Sequence, residues 1–327
     1  MLRLHGRQGR RFAQADGYDA YYGGAEANAC VLLSRLGIGV DYITVLPDNE
    51  IAMAGVRQLR AQGVGADHIV YRGEKLGVYF TEQGNAIRPT RVIYDRDGSS
   101  YAQTGPGVID WRERFAGTNY FHWSGIAAAV SQSAADTCAE ALAIATEKGI
   151  RISADFNYRT TLWKYGKHPR EVMPHLLQYS SVAVADLDSA AVYFGIETDK
   201  TASFEDRFRH CSTALQERIP HLEVLAMSFR TPHGIQHSYS GALLYGGEYY
   251  FSTCHELPII TDQIGSGDAF TAGMLFGLIR QFAPQQIVDY AAACGALKQS
   301  IAGDWALINQ AEVEQFIQYG SSGRIIR

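Results

Sequence analysis

The stretch from Thr261 to Gly273, TDQIGSGDAFTAG, places a carboxylate directly after glycine and serine residues, at the start of an apolar, helix-like segment. Gly265, Ser266 and Gly267 allow close approach of a backbone, and the first N–H groups of a helix have no intrahelical partner. Such a site suits a phosphate. Asp268 would repel that anion, but at a helix N-terminus it stays ionised at neutral pH and can accept a proton from an attacking hydroxyl. Taken alone, the stretch is more often a helix cap after a flexible turn.

A second segment, YYGGAEAN from Tyr21 to Asn28, leads into the predicted helix CVLLSRLG. Its glycines let a backbone touch a ligand, and the amide of Asn28 can recognise a hydroxyl. A turn followed by a helix cap explains the same pattern equally well.

A third group consists of Arg and Tyr residues near the ends of predicted strands or in a short β region. Two guanidinium groups can bind one carboxylate, and tyrosines can hydrogen-bond hydroxyls while stacking on a carbon skeleton. Taken singly, each of them is more often a solvated surface residue. The group comprises Tyr79, Tyr94, Arg96 and Arg159.

The elements that must position these residues alternate from about residue 117 onward. Strands are predicted at TNYFHWSGI, IRISADF, SSVAVADL and EVLAMSF, with helices between them. Ser131 and Ser133 are candidate caps for a helix that Gly149 ends. Two further helices are predicted after Ser266, separated at Ala283–Pro284. Strands that alternate with helices of this length predict parallel βαβ units and an α/β domain.

Residues 69–105 do not follow this alternation of strands and helices. Short runs whose side chains alternate between two faces are separated there by the turn signals EQGN and DRDG. Val78 and Phe80 are expected to point to one face of a strand, and Tyr79 and Thr81 to the other. A small antiparallel sheet inserted in a βαβ chain is a candidate lid over a cleft.

Composition excludes several classes of function. The 327 residues carry a formal net charge of −5, which argues against a nucleic-acid partner, and the sequence has no apolar run long enough to suggest a membrane helix. The five scattered cysteines indicate reduced thiols and a cytoplasmic location, and the ten histidines show no metal-binding spacing. Neither a Walker motif nor GxGxxG occurs, so a P-loop nucleotide site and a dinucleotide dehydrogenase are not supported.

The pairing of GGAEAN near the start with DQIGSGDAFTAG near the end resembles the ribokinase-like (PfkB) sugar kinases, in their order and spacing. The intervening VIYDRDGSSY, HWSGI and DFNYR are similar to the 2-keto-3-deoxygluconate kinase branch, and the resemblance covers essentially the whole chain. It implies a single domain over residues 1–327, with a three-layer α/β fold and a mostly parallel sheet. It also implies a β lid from residues 11–24 and 69–105. Open strand edges on that lid predict a homodimer through the lid strands.

The resemblance further implies ATP-dependent phosphorylation of 2-keto-3-deoxygluconate at its terminal hydroxyl, which gives 2-keto-3-deoxy-6-phosphogluconate. Asp268 would be the general base, with Gly265, Ser266 and Gly267 as the anion hole. Substrate contacts would come from Gly24, Ala25, Glu26, Ala27, Asn28, Tyr79, Tyr94, Arg96, Ile126, Arg159 and Asp304. Cofactor contacts would come from Asn157, Gly265, Gly267 and Cys294, and Asp186 would help to hold Mg²⁺.

Several positions depart from the family's pattern. Gln263 stands where the family usually has Thr, beside a monovalent-cation loop, which puts potassium dependence in doubt. The family's NxxE metal motif falls on DLDS (186–189), and the usual nucleotide strand is replaced by FRTPHGIQHSYSGALLY, which identifies no adenine contact. Family members also have a core strand ahead of the segment that matches MLRL, so we expect that strand to be truncated or to precede the printed sequence. The alternatives are another PfkB-type kinase, acting on fructose, ribose or a different deoxy sugar acid, and a sugar-acid sensor without turnover.

Overall fold

The computed structural model describes residues 1–84, 88–233 and 236–320. The strands in these ranges are β1 (Leu2–Gly6), β2 (Tyr18–Tyr22), β3 (Val45–Leu46), β4 (Val70–Tyr71), β5 (Val78–Glu82), β6 (Arg91–Asp95), β7 (Tyr120–Ser124), β8 (Arg151–Asp155), β9 (Val182–Ala185), β10 (Val224–His233), β11 (Gln236–Tyr245), β12 (Glu248–Phe251) and β13 (His255–Leu257). The α-helices are α1 (Ala25–Arg35), α2 (Glu50–Ala61), α3 (Trp111–Arg114), α4 (Gly125–Ala128), α5 (Gln132–Glu147), α6 (Pro169–Leu177), α7 (Leu187–Phe194), α8 (Phe204–Arg218), α9 (Ser266–Ile279), α10 (Pro284–Lys298) and α11 (Gln310–Tyr319).

The central sheet has the order β12-β11-β10-β9-β8-β7, and β13 pairs with the far end of β11. Strands β7 to β10 run parallel to one another, whereas β11 is antiparallel to β10, and β12 and β13 are antiparallel to β11. The predicted alternation of strands and helices from residue 117 is therefore confirmed. The antiparallel extension by β11 to β13 was not predicted, because strand alternation does not reveal which strand pairs with which.

The helix ends follow the local signals in the sequence. The side chain of Ser131 accepts a hydrogen bond from the Ala134 N–H and caps α5, and Gly149 follows that helix with a φ of 68°. Gly195 ends α7 with a φ of 72°, which glycine adopts at little cost. Pro284 occupies the first turn of α10, where its missing N–H has no consequence.

Two apolar clusters lie on opposite faces of the central sheet and define three layers. One cluster joins Ala183 and Leu225 of the sheet to α5, α6, α7 and α8. The other joins Val182 and Val224 to α1, α9 and α10. Neighbouring strand residues contribute to opposite clusters because successive side chains alternate across a sheet. Within the described ranges, no helix combines the length and apolarity needed to cross a bilayer.

The smaller sheet has the order β2-β1-β5-β6. Tyr79 and Thr81 of β5 are buried, whereas Val78 and Phe80 are half-buried, as the predicted alternation requires. Strand β1 was not predicted as part of this sheet. It pairs in parallel with β5, more than seventy residues away, which a local pattern cannot show. The segment around Val70 pairs with β3 in a separate two-stranded sheet, and the predicted turn EQGN ends at residue 85, outside the described residues.

A cavity of about 610 Å³ lies beside β7, the last strand of the central sheet. The residues that line it include Phe121 and Trp123 of β7, residues 41–46, Leu33 of α1 and Ala141 of α5. The expectation of a core strand ahead of Met1 stays a prediction.

Candidate active site

The predicted catalytic residue lies where several elements converge below the small sheet. Asp268 is in the first turn of α9, and Asn28 is in the first turn of α1. Asp155 ends β8, and Asp186 follows β9. The carboxyl ends of parallel strands are the usual location of ligand sites in α/β sheets. The structure therefore gathers the polar residues of distant segments at one edge of the central sheet.

Asp268 and Asn28 connect the two sequence signatures directly. The Asn28 side-chain amide donates to Asp268 Oδ2 over 2.6 Å, and Asn28 is only 5% exposed. Burial raises the pKa of Asp268 to about 6, although the hydrogen bond from Asn28 and the charge of Arg159 oppose this rise. The carboxylate is therefore still mainly ionised at pH 7, as expected, but burial outweighs the groups that favour its charged form.

The start of α9 forms an open cradle of backbone N–H groups. Gly265, the N-cap, has a φ of 84°, and a Cβ there would lie 2.0 Å from the carbonyl oxygen of Asp304. This position therefore requires glycine. Gly267 is exposed, and a Cβ built on it would meet no atom within 4 Å. The backbone at Gly267 is thus open to an anion, whereas the Ser266 N–H donates to the Gln263 carbonyl oxygen over 3.3 Å. The anion hole over residues 265–267 stays a prediction.

Arg230 of β10 reaches this cradle, although the sequence analysis did not select it. Its Nη2 donates to Ser266 Oγ over 3.1 Å, and its Nη1 donates to the Gln263 side chain over 2.9 Å. Both acceptors are neutral, so its charge adds to the positive end of α9. The signal available in the sequence was an arginine at the end of the apolar run VLAMSF.

Asp304 belongs to a buried network that ties the small sheet to the loop before α9. Arg3 Nη1 lies 3.1 Å from Asp304 Oδ2 and 2.8 Å from Asp262 Oδ2, and all three side chains are less than a tenth exposed. The Tyr79 hydroxyl donates to Asp304 Oδ1. Burial raises the pKa of Asp304, while Arg3 opposes the shift. The predicted residues Tyr79 and Asp304 therefore meet, through a network whose arginine, Arg3, was not among the predicted site residues.

The inner face of the small sheet also reaches the other predicted substrate residues. The Tyr79 and Tyr94 rings lie 5.8 Å apart. Tyr94 and Ala25 pack against a small cluster that contains Ile126 and Leu162. Residues from β5, β6, α1 and α4 are thus brought together, and the role of the small sheet as a lid over the cleft stays a prediction.

The two predicted arginines have different surroundings. Arg96 is 7% exposed, and within the described part of the chain its Nε and Nη1 have no hydrogen-bond partner. Burial lowers the pKa of Arg96, opposed by Tyr101, Glu26 and Tyr94. Arg159 is exposed and donates to the Tyr158 carbonyl oxygen over 2.8 Å. Both guanidinium groups keep donors available for a ligand.

Glu26 faces the chain rather than open solvent. Its Oε1 accepts hydrogen bonds from the Ser124 N–H over 3.1 Å and from the Ser124 hydroxyl over 2.6 Å. Gly24 has a φ of 146° at the N-cap of α1, and Ala27 is buried behind it against Val31 and Leu59. These contacts orient the GGAEAN segment toward Asp268.

Asp155 and Asn157 lie at the opposite wall. Burial and then the charge of Asp268 raise the pKa of Asp155 to about 8. The Asn157 backbone has a φ of 41° and its N–H donates to Asp155 Oδ1 over 3.1 Å, while its side-chain oxygen is buried without a partner in the described residues. Strained backbone of this kind is often found at functional sites.

Two of the predicted site residues, Asp186 and Cys294, have structural roles in the elements that contain them. Asp186 caps α7, because its Oδ1 accepts the Ser189 N–H over 2.8 Å and its Oδ2 accepts the Ser189 hydroxyl. The described residues contain no group of three or more acidic, histidine or cysteine side chains arranged to bind a metal ion directly. Cys294 is fully buried where α10 packs on Gly273 of α9, and burial raises the pKa of its thiol far above its ordinary value. Its cofactor role stays a prediction, and the structure accounts for it as a packing residue.

Comparisons with known proteins agree with one another. The pattern described as pfkB family carbohydrate kinase matches residues 7–304. A 2-dehydro-3-deoxygalactonokinase from Haloferax volcanii is 32% identical over 99% of this chain and 96% of its own length. The crystal structure of 2-dehydro-3-deoxygluconokinase from Thermotoga maritima superimposes with a TM-score of 0.92 and 29% identity, covering 97% of each chain. A putative ribokinase II from E. coli in complex with ATP and Mg²⁺ shares the fold alone, with a TM-score of 0.78, 18% identity and coverage of 97% and 96%.

Proposed function

The chain belongs to the pfkB family of carbohydrate kinases, and from that premise we propose that this ATP-dependent sugar kinase phosphorylates a 2-keto-3-deoxy sugar acid at its terminal hydroxyl. The preferred substrate is 2-keto-3-deoxygluconate, and the product is 2-keto-3-deoxy-6-phosphogluconate. The observation that carries the proposal is the hydrogen bond between Asn28 and Asp268, because it unites the two signature segments around one carboxylate.

In the proposed reaction, the terminal hydroxyl oxygen of the sugar acid attacks the γ-phosphorus of ATP. A new oxygen–phosphorus bond forms, the bond from γ-phosphorus to the β–γ bridging oxygen breaks, and ADP leaves. Asp268 takes the hydroxyl proton, and Asn28 holds the carboxylate in position. The backbone N–H of Gly267, at the start of α9, then stabilises negative charge on the transferred group, as phosphoryl transfer requires.

The acidic end of the substrate is assigned to the arginines. Arg96 is buried with open donors, and Arg159 stands at the edge of the site near Asp155 and Asp268. A guanidinium recognises a carboxylate through charge and geometry together. Tyr94, Ala25 and Ile126 would pack against the carbon chain, and the Tyr79–Asp304 pair would bind hydroxyls.

The nucleotide phosphates are assigned to the start of α9. The exposed Gly267 and the guanidinium of Arg230 provide an open, positive surface there, which fits a triphosphate. Asp155 and Asp186 interact electrostatically at neighbouring strand ends, and they could hold Mg²⁺ through water molecules, as this ion prefers. Bound Mg²⁺ would neutralise charge on the phosphates.

A panel of phosphorylation assays tests the substrate. We expect 2-keto-3-deoxygluconate or its galactonate epimer to give a kcat/KM far above that of ribose or fructose. Replacing Arg159 by Ala should raise KM for the acid about 10- to 100-fold, because a hydrogen bond to a charged group is lost. Ribose or fructose as the better substrate would make this a neutral-sugar kinase instead. Binding of the acid without any ATP turnover would make it a sensor.

A further inference from the structure

Lys298, the last residue of α10, is a buried cation that the proposed mechanism does not use. Its side chain is 0% exposed. The ammonium donates to the main-chain carbonyl oxygen of Ile301 over 3.1 Å and lies 3.4 Å from that of Asp262. Lysine is almost never fully buried unless it is paired, and here the hydrogen-bond acceptors are backbone carbonyls.

The acidic groups nearest to Lys298 have other partners. The Asp262 carboxylate accepts from Arg3, from the Ile264 N–H over 3.0 Å and from the Gly303 N–H over 3.1 Å. Asp304 accepts from Arg3 and from Tyr79. The ammonium of Lys298 therefore binds two loops through their carbonyl oxygens, in the way that a small metal ion binds backbone oxygens.

These two loops hold the start of α9. The N–H groups of Thr261 and Asp262 donate to the Gln299 carbonyl oxygen over 2.8 and 3.2 Å. Lys298 Cε also lies 3.4 Å from the position of a Cβ on Gly265, the N-cap of α9. Movement of the ammonium would therefore shift the loop from which the backbone cradle begins.

The resemblance to the ribokinase-like kinases implies a monovalent-cation loop beside Gln263, and the neighbouring carbonyl, that of Asp262, faces Lys298. The residues present do not fit a bound alkali metal ion. An ammonium already lies among the carbonyl oxygens, and a second positive charge beside it would be repelled in a buried environment. The structure thus disagrees with the family's expected cation requirement.

We propose that the Lys298 ammonium is a built-in monovalent cation, which replaces an alkali metal ion and holds the loop ahead of the anion hole in its working position. Lys298 is then a positioning residue, since it acts through the backbone and not on the substrate. The inference rests on the proposed role of residues 265–267, but not on which sugar acid is phosphorylated.

The test compares kcat in buffers that contain only bulky organic cations with kcat in the same buffers plus K⁺ or NH₄⁺. The wild-type enzyme should show the same kcat in all three. Lys298→Ala should lose about a hundredfold in kcat without small cations, because a displaced catalytic loop has an effect of this size. K⁺ or NH₄⁺ should restore much of that loss, since the truncated side chain leaves space for the ion.

Two variants serve as matched controls. Lys298→Met removes the charge but fills the space, so it should lose activity without rescue by K⁺ or NH₄⁺. Gln299→Ala removes a neighbouring, fully buried polar side chain, and it should lower Tm without creating any response to cations. Folding of each variant is checked by circular dichroism and thermal unfolding.

The pH profile gives a second measurement that a merely structural role would not change. The charged groups near the ammonium are Asp262, Asp304, Arg3 and Asp268, and burial lowers the pKa of Lys298 to about 8. Wild-type kcat should therefore fall above that pH. Lys298→Ala supplied with K⁺ should lack this fall in kcat. Because Asp155 ionises in the same pH range in both proteins, the difference between the two pH profiles reports the ionisation of Lys298 alone.

Three results would overturn the inference. The first is strong stimulation of the wild-type enzyme by K⁺. The second is a folded Lys298→Ala enzyme with full kcat in the absence of small cations, and the third is a folded, inactive Lys298→Ala enzyme that neither K⁺ nor NH₄⁺ rescues. Where Lys298→Ala does not fold, the wild-type response to K⁺ decides the question by itself. Failure of the substrate assignment is distinguishable from failure of this inference. It would change which sugar is phosphorylated, but not the ratio of kcat with K⁺ or NH₄⁺ to kcat without them.

Discussion

At the scale of single residues, the site depends on how burial shifts the pKa of Asp268. Burial raises that pKa to about 6, while the Asn28 amide and Arg159 favour the ionised form. A general base works best with a pKa near the pH at which it operates. Asp268 is therefore basic enough to take a proton from a hydroxyl, and it is still mainly ionised at pH 7.

Asp268→Asn should lower kcat by about 10²- to 10⁴-fold, because the proton acceptor is removed while the shape of the side chain is kept. In the wild-type enzyme, kcat/KM should fall as the pH drops through about 6, since protonation of Asp268 abolishes its basicity. Steady-state kinetics between pH 5 and 9 measure both effects. Glu205→Gln, at an exposed acid of α8, should change neither, and an Asp268→Asn enzyme with wild-type kcat would exclude the base assignment.

Arg230 is the second residue whose role can be tested alone. Arg230→Ala should raise KM for ATP about 10- to 100-fold, because a charge-assisted contact to the phosphates is lost. KM for the sugar acid should change little. The exposed Arg57 of α2 provides a control in Arg57→Ala, which should leave both KM values unchanged. An equal rise in both KM values for Arg230→Ala would indicate a general distortion of the loop at Ser266.

At the scale of elements, the start of α9 combines conformational strain with close packing. Gly265 adopts a left-handed φ of 84° directly against the Asp304 carbonyl oxygen, whereas Gly267, two residues later, faces open space. The same helix turn thus contains one glycine required by the fold and one that leaves room for a ligand.

Gly265→Ala should destabilise the protein by at least about 1–3 kcal/mol, since the new Cβ would be strained and would collide with the backbone at Asp304. Gly267→Ala should keep the wild-type Tm but lower kcat or raise KM for ATP, because its Cβ would meet no protein atom within 4 Å and would enter the space that we propose for the phosphate. Thermal unfolding and kinetics of the two variants separate these effects. A wild-type Tm for Gly265→Ala would show that the loop does not pack as described.

At the scale of the whole molecule, the small sheet shows different chemistry on its two faces. The inner face carries Arg3 and Tyr79, which join the network at Asp304. The register places Leu4, Phe80 and Ile93 side by side on the outer face, and Ile93 of the edge strand β6 is 53% exposed. An apolar sheet face with an open strand edge is suited to a second copy of the same chain.

We therefore predict a homodimer through the small sheet, which Ile93→Glu should convert to monomers by placing a charge in the apolar interface. Light scattering coupled to size-exclusion chromatography measures the change in molar mass. Ile51→Glu, at a residue of α2 that is 55% exposed, should leave the dimer intact. A wild-type protein that is monomeric at micromolar concentration would contradict the prediction. The cytoplasmic location also stays a prediction.

The sequence by itself determined the periodic and local features of this protein. The βαβ alternation, the cap of α5 at Ser131 and the two-faced pattern of β5 depend on residues close together in the chain, and all are confirmed. The glycines before Asp268 likewise indicated a backbone cradle, because only glycine adopts such geometry at low cost.

Only the tertiary structure decided which distant residues meet. Arg3 pairs with Asp304, and Arg230 donates to the Ser266 hydroxyl. Lys298 donates to the main-chain carbonyl oxygen of Asp262. In the sequence, each of these three cations appears only as a single charge beside apolar residues. Long charged side chains have no periodic signature, and their partners depend on strand pairing and helix packing over long separations. The raised pKa of Asp268 was likewise decided by the tertiary structure. It results from burial, which is a property of the assembled fold and not of the local sequence.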